Sequence, residues 1–486
     1  MKLLELLKKS GINARISGFN TEIHGIEYDS RKVTPGDVFV AIKGLTKDGH
    51  AYIQHAIQKG ASAIICEKNF LNAPVPIIVV PNSRKALSCL SQTFYDTIDL
   101  PFRITGITGT NGKTTLTFLL RELEKQGGFS PAISGTLGFY SDFGNEKFSE
   151  RTTPESRDLH KMLHECKKRK IDTLIMEVSS IALTLNRVDN ISFDTAIFTN
   201  LTQDHLDFHK TMDDYFSAKK QLFSLLTPTG VAIINIDDPY GMKLYASLNK
   251  NKKSCSLHNP QADYYYTDYR LTSKGLKGIL KTPSHSLSVE APLIGDFNAM
   301  NVLQAVAAWL ENHPEFRPQS LTFQSLPTIP GRMEIVQTAN HGTVIIDFAH
   351  TPDALEKIFN SIQEIHHHKI WAVFGCGGDR DKAKRPYMGH IVEQYADEII
   401  ITNDNPRTEN PDDIIRDILQ GISFHPNVTV EKDRKKAIHM ALEKSKPHDL
   451  LLLLGKGAEE VMEIREEKIP FNDKDIVLRW LNKNET

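Results

Sequence analysis

The chain has 486 residues, 40% of them hydrophobic and 24% charged, which is the composition of an ordinary globular protein and excludes a disordered one. Its 58 lysines and arginines against 60 acidic residues leave a net charge of −2, which excludes a global field for nucleic acid or an anionic membrane, so any anion must be bound locally. Five scattered cysteines (Cys66, Cys89, Cys166, Cys255, Cys376) form no Cys-x-x-Cys pair and suit a reducing cytosol, and no apolar run nears the ~20 residues that span a bilayer.

At domain sizes of roughly 100 to 200 residues the length predicts about three units. In MKLLELLKKSGIN the spacing of Leu3, Leu4, Leu6 and Leu7 predicts a short amphipathic helix rather than a signal peptide, so a cytoplasmic protein is expected. Residues 1–100 carry the short apolar runs VFVAI, ASAIICE and PIIVV around the helical YIQHAIQKG, a small α/β unit. From Phe102 the order becomes strand (FRITGIT), glycine loop, and a helix with Leu116, Leu119, Leu120 and Leu123 on one face. Buried strands TLIMEV, TAIFTNL and GVAIINI follow. Residues 256–292, with Gly275 and Gly278, predict an antiparallel appendage ahead of the helix NAMNVLQAVAAWLENH. PTIPGRME, with Pro327, Pro330 and Gly331, marks a linker, closing a second unit at 101–330. In 331–486 strands and helices alternate (TVIIDFAH, PDALEKIFNSIQEI, KIWAVFG, the helix through Ile391 to Tyr395, EIIITND, DDIIRDIL, DLLLLLGKG), predicting a mostly parallel, Rossmann-like sheet with helices on both faces. His366-His367-His368 is expected to be a solvated helix cap rather than a metal site.

The segment GITGTNGKTT, 106–115, follows a strand and opens a helix, the setting in which backbone N–H groups and a helix N-terminus cradle phosphates. Lys113 supplies a mobile charge and the Thr114 hydroxyl a magnesium ligand. Glycines at 106, 109 and 112, with Ile107 where the strict eight-residue P-loop has glycine, make this a variant spacing. Glu177 closes TLIMEV, and Asp204-His205 follow TAIFTNLTQ, at strand ends where ligands gather in open α/β sheets; the carboxylate suits magnesium on a triphosphate. Read alone, Lys219 and Lys220 are a solvated helix face.

Along essentially its whole length the chain resembles the Mur ligases, and within them the MurE type. The resemblance rests on YDSRKVTPGDVFVAIKG, GTNGKTT, RTTP, MEVSS, NLTQDHLDFH, YFSAKKQLF, GDFNAMN, GRMEI, DFAHTPDAL, GCGGDRDKAKRP, DNPRTE and LLGKGAE. It implies three α/β domains: a uridine-binding unit, a P-loop-type ATPase unit and a Rossmann-like unit. It also implies a carboxylate activated by ATP as an acyl phosphate and then captured by an amine, in peptidoglycan precursor synthesis. By the same resemblance Gly109, Thr110, Asn111, Gly112, Lys113, Thr114 and Thr115 hold the ATP phosphates, with Asn298 and Asn301 at the adenine end and Arg332 and Asp347 reaching over from the third domain. Thr114, Glu177, His205 and Lys219, the last as a carbamate, are the implied magnesium residues, and Lys113, Glu177, His205 and Lys219 the implied catalytic set. Closure of the third domain on the second, with PTIPGR as hinge, is expected to complete the site.

Asp404-Asn405-Pro406-Arg407 in this family marks enzymes that add meso-2,6-diaminopimelate; Arg407 offers a planar fork to the distal carboxylate that lysine lacks. The segment is also a turn. Arg380, Gly455 and Glu459 match further amino-acid positions. Ser30, Leu45, Thr46 and Lys47 match the uridine end, and Thr152, Thr153, Ser179 and Arg187 the peptidyl end, of UDP-N-acetylmuramoyl-L-alanyl-D-glutamate. Ile181, Leu185 and Ala458 depart from the family pattern, two of them at positions where a histidine is usual. Alternatives are a lysine-adding or MurF-type ligase, a folylpolyglutamate synthetase, or a P-loop NTPase switch without an amide product. A monomer acting on small molecules, without nucleic acid or membrane insertion, is expected.

Overall fold

A computed structural model describes residues 1–484 apart from 14–19, 45–46, 69–72, 147, 150, 250, 273, 339, 364, 366, 425 and 466. Three principal sheets follow one another along the chain, and a two-stranded hairpin, Val461–Ile464 with Glu467–Pro470, joins the third.

The first sheet has four short parallel strands, Gly25–Glu27, Asp37–Val40, Ala63–Cys66 and Ile77–Val79, in sequence order. Helices Leu3–Lys9 and Ser83–Phe94 cover one face and Ile53–Gln58 the other. Leu3, Leu6 and Leu7 are buried, whereas Leu4 is 40% exposed: a stripe at i, i+3, i+4 points inward and leaves the next position at its edge. Asn82 starts the long helix by accepting a hydrogen bond from the Lys85 amide at 3.0 Å.

The second sheet has twelve strands. Its parallel centre sets Arg103–Thr108 between Phe193–Phe198 and Thr173–Glu177. Because side chains alternate along a strand, Ile107 joins the core under helices Lys113–Gln126 and Asp296–Asn312, while Ile104 joins the core under Ser156–Lys168 and Met212–Ser224. Leu116, Leu119, Leu120 and Leu123 are all buried, each stabilising this packing by about 1.5–3 kcal/mol. The antiparallel segment, Tyr264–Thr272, Gly275–Lys281 and Ser286–Ala291, extends the same sheet edge rather than standing apart.

The third sheet has six strands, parallel except for the antiparallel edge strand Glu334–Val336. Leu450–Leu454 is buried at every residue because it lies between Thr343–Asp347 and Ile370–Phe374 with helices on both faces. Helix Pro352–Ile362 stops before the histidine triplet, so His367 and His368 lie in the connection to the next strand instead of capping a helix; His366 is outside the described residues.

The carboxyl ends of the second and third sheets face each other. Arg332 donates to Thr114 Oγ1 (3.1 Å), Asn111 to Asp353 Oδ2 (2.8 Å) and Gln203 to Asp381 Oδ2 (3.0 Å) across the junction. Gly331 (φ +62°) and Met333 (φ +47°) sit in the left-handed region at the crossing, which glycine adopts without strain.

Candidate functional site

Between these facing strand ends lies a cleft of about 2000 Å³, and most of the residues singled out in the sequence line it. The glycine loop forms its floor. Gly109 (φ +150°) and Gly112 (φ +89°) take backbone angles that other residues resist, and a Cβ on Gly109 would run into Thr199 Oγ1. The loop runs from there into the start of helix Lys113–Gln126, where the helix dipole adds positive potential, and Asn200 fixes it by accepting from the amides of Thr110 and Asn111, both at 2.9 Å. Lys113 folds back over the loop and donates to the carbonyls of Gly109 (2.9 Å) and Thr110 (2.8 Å).

Gly109 O also accepts a hydrogen bond from Lys219 Nζ at 2.8 Å. Lys219 is 1% exposed, lies behind the loop rather than on a solvated face, and sits 4.4 Å above the Tyr215 ring centroid. Burial, reinforced by the charge of Lys113, holds its amine well below the usual lysine range, which favours the neutral, nucleophilic form. Burial lowers Lys113 too, with Glu177 and Asp204 opposing.

Thr114 donates its hydroxyl to Glu177 Oε1 at 2.9 Å, and the Thr136 amide donates to the same oxygen at 2.9 Å. Gly135 has to be small, because a Cβ there would collide with the Glu177 carboxylate. Thr153 donates to Glu177 O (3.0 Å) and accepts from the Ser179 amide (3.0 Å), while Thr152 meets Thr136 at 3.1 Å. Ser179 in turn caps helix Ser180–Thr184. Arg187 is buried and paired with Glu155 at 2.8 Å.

Deeper in the cleft, buried Asp204 is approached by His205 (3.5 Å), His350 (3.6 Å) and Lys384 (3.3 Å). Burial works against its charge, yet His205, Lys384 and His350 together hold it well below the usual carboxylate range. His205 opens into the cleft rather than to bulk water. Its environment, burial first, pushes it down to about 4, so the imidazole is neutral at pH 7 with a lone pair to offer.

Asn298 and Asn301 are bonded to each other at 3.1 Å, and the Asn301 side-chain oxygen lies against Gly112, so they brace the phosphate loop from the helix behind it. Arg332 stacks over the Phe348 ring, its guanidinium carbon 4.7 Å from the centroid. Asp347 accepts from the amides of Met333 (2.7 Å) and Ala349 (2.8 Å), so it fixes the linker while facing the cleft.

The far end of the cleft belongs to the third sheet. Arg407 (φ +52°) donates to Glu463 Oε2 (2.8 Å) and Gly378 O (2.7 Å). Lys456, fully buried, reaches Asn405 Oδ1 (3.1 Å), Glu459 Oε2 (2.8 Å) and Val461 O (2.9 Å). Asp404 lies against Gly455, whose φ of +105° suits only glycine. Arg380 lines the same end, near enough to Arg407 for their charges to repel. Pro406 turns to a separate surface groove on the outer side of the loop.

Two residues assigned to the uridine end stand away from the cleft's described lining: Ser30 is buried against His55 Nδ1 at 3.0 Å, and Lys47 is exposed. Leu45 and Thr46 lie outside the described residues. The sequence reading missed His350, Lys384, Lys456 and Glu463. His350 had a signal, since it follows the strand Thr343–Asp347 just as His205 follows Phe193–Phe198. Glu463 had none, being brought in by the hairpin.

Comparison with known proteins matches residues 22–95 to the Mur ligase family catalytic domain, 107–309 to the Mur ligase middle domain, and 331–457 to the Mur ligase glutamate ligase domain. A UDP-N-acetylmuramoyl-L-alanyl-D-glutamate--2,6-diaminopimelate ligase 1 of Clostridium acetobutylicum is 39% identical over 490 residues, covering 99% of this chain and 100% of that protein. A solved structure of a ligase of that name superposes with a TM-score of 0.66 at 30% identity, over 100% of this chain and 99% of the other. The MurF ligase of Thermotoga maritima in complex with ADP, 19% identical, shares the fold with a TM-score of 0.64 over 95% of this chain and 97% of that one.

Proposed function

This chain belongs to the Mur ligase family, and from that premise we propose that it adds meso-2,6-diaminopimelate to UDP-N-acetylmuramoyl-L-alanyl-D-glutamate with ATP, an amide-forming step in peptidoglycan precursor synthesis. The observation that carries the reading is one cleft with a phosphate loop at one end and, at the other, Arg407 with Glu459. An acid that must be phosphorylated and an amine that must reach it then share a single enclosed space.

In this reading the substrate carboxylate oxygen attacks the γ-phosphorus, the bond to the β–γ bridging oxygen breaks, and ADP and an acyl phosphate form. The amine nitrogen then attacks the acyl carbon, the carbon–oxygen bond to phosphate breaks, and the proton lost by the amine ends on the departing phosphate. Lys113, the loop amides and Arg332 neutralise the phosphates while the donors stay fixed, which makes preorganised electrostatics the main contribution.

A magnesium ion fits the donors present. Thr114 and Glu177 offer hard oxygens at the loop, and among the described residues no group of three or more His, Cys, Asp or Glu side chains could hold a metal ion by itself. An ion there would draw its remaining ligands from phosphate and water, as magnesium commonly does. When bound, it supplies charge neutralisation for the transferring phosphoryl group. The buried Lys219, its amine held well below the usual lysine range, suits reaction with carbon dioxide: its nitrogen bonds the carbon and releases a proton, turning a base into an anion beside Lys113. His205 is the accompanying neutral donor.

Arg407 and Arg380 bind the distal carboxylate of diaminopimelate, and Glu459 binds an ammonium. The reaction takes place in the cytoplasm, on small molecules, by a monomer; no helix among the described residues is long and apolar enough to cross a membrane. Phosphate release measured with ATP, magnesium, the UDP-dipeptide and a panel of amino acids tests this reading. Release is expected only with the nucleotide substrate and chiefly with diaminopimelate. Equal rates with lysine would sink the specificity, and release indifferent to any amino acid would sink the ligase.

A further inference from the structure

Glu155 is 1% exposed and receives guanidinium groups from two units of the molecule. Arg84, on helix Ser83–Phe94 of the first unit, donates at 2.7 Å, and Arg187 of the second unit at 2.8 Å. Arg151 approaches to 3.5 Å from its half-exposed position at the cleft edge. Three guanidiniums around one carboxylate leave a net charge of about +2, which fits a cleft wall meant for an anionic substrate.

The pattern extends beyond charge. Arg84 uses its other two nitrogens on the carbonyl of Lys43, at 3.2 and 2.9 Å, at the root of the loop matched to the uridine end. Arg187 uses NH1 on the carbonyl of Thr153, at 3.3 Å, at the peptidyl end. A planar fork can hold two partners at a fixed separation, which a lysine cannot do. Exposed where it leaves Lys43 and buried at Glu155 and Arg187, the line from Lys43 through Arg84, Glu155 and Arg187 to Thr153 is a continuous, charge-assisted connection between the two ends of the proposed nucleotide-peptide substrate.

We propose that Glu155 and Arg84 form a positioning strut, which sets the distance between the nucleotide-binding and peptidyl-binding ends of the site and aims Arg187 at the acceptor. This rests on the ligase reading above. Neither residue is a donor to the phosphates or the reacting atoms. The strut therefore acts on ligands that span both ends and leaves those held at one end alone.

Titration of UDP and of UDP-N-acetylmuramoyl-L-alanyl-D-glutamate into the full chain, with steady-state KM for ATP and diaminopimelate, tests this. Glu155→Gln is expected to weaken the full nucleotide substrate at least about tenfold, the loss of one good charge-assisted hydrogen bond, while UDP affinity and the KM for ATP stay within about twofold. Arg84→Lys, which keeps the charge but not the fork, is expected to show the same selective loss, and it carries the test if Glu155→Gln does not fold. The double variant is expected to be little worse than either single one, because both break the same connection. Unchanged affinity for the full substrate in these variants, or equal loss of UDP, ATP and the full substrate, would overturn the strut. A wild-type chain that binds neither nucleotide would overturn the ligase reading and the strut with it.

Discussion

In the proposed reading the phosphate loop and the amino-acid pocket solve the same problem, holding an anion, by opposite means. The loop is contiguous, 106–115, and built from backbone: glycine angles set its path, and Lys113 and Lys219 share the Gly109 carbonyl. The pocket is gathered from distant segments, and its charges are already partnered, Arg407 with Glu463 and Glu459 with Lys456. A substrate entering the loop meets a cation held only by neutral partners, Lys113 on the carbonyls of Gly109 and Thr110, and so exchanges weaker contacts for charged ones. A substrate entering the pocket has to join or displace ion pairs, so its affinity is a difference between similar terms. Damage to the loop should therefore stop chemistry, and damage to the pocket should weaken or redirect it.

The largest expected effect is on the loop side. Lys219→Ala should lower turnover by about a thousandfold or more, the scale of losing a group that stabilises the transferring phosphoryl, and short added carboxylates should restore part of it. Steady-state phosphate release checks this, and normal turnover would remove Lys219 from the mechanism.

On the pocket side Arg407→Ala should raise the KM for diaminopimelate by about ten- to a hundredfold, one to two decades for a bidentate contact, with the KM for ATP unchanged. A parallel rise for ATP would mean that the two regions are not separable as argued.

Lys456→Met keeps an unbranched chain one atom shorter than the buried lysine and removes its charge. Because it leaves Asn405 and Glu459 without their shared partner, the KM for the amino acid should rise by about five- to tenfold with kcat nearly preserved. If kcat fell instead, Lys456 would belong with the reacting groups.

The smallest effect is in pH. His205 and His209 are both pushed down to about 4, in each case chiefly by burial. In the unfolded chain they bind protons near 6.5, so between 6.5 and 4 the unfolded state carries more protons and stability rises with pH. Denaturant midpoints should fall as pH drops through that window, and His209→Gln should flatten the slope. An unchanged slope would show that His209 titrates normally.

How much of this was legible in the sequence follows the same division. Lys113, Thr114 and Glu177 were readable because strand, glycine loop and helix are encoded within a few residues, and the strand end names the carboxylate. Lys219 was different: by its own helix pattern it was a surface lysine. Only the packing of helix Met212–Ser224 beneath the loop buries it, and burial is what pushes its amine below the usual lysine range. Similarly, Arg407 was named from its motif, but nothing in DNPR indicates that Glu463, far along the chain, occupies its fork.

The sequence by itself determined the three α/β units, the buried strand Leu450–Leu454, the antiparallel extension at 264–291 and the strand, glycine loop and helix start at 103–126, because period, glycine angle and helix start are local properties of a chain. The tertiary structure decided which polar groups meet: Asp204 with His350 and Lys384, Glu155 with Arg84, Lys219 with the Gly109 carbonyl. Coulomb energy and desolvation depend on distance and burial between residues far apart in sequence, and those exist only once the sheets have docked.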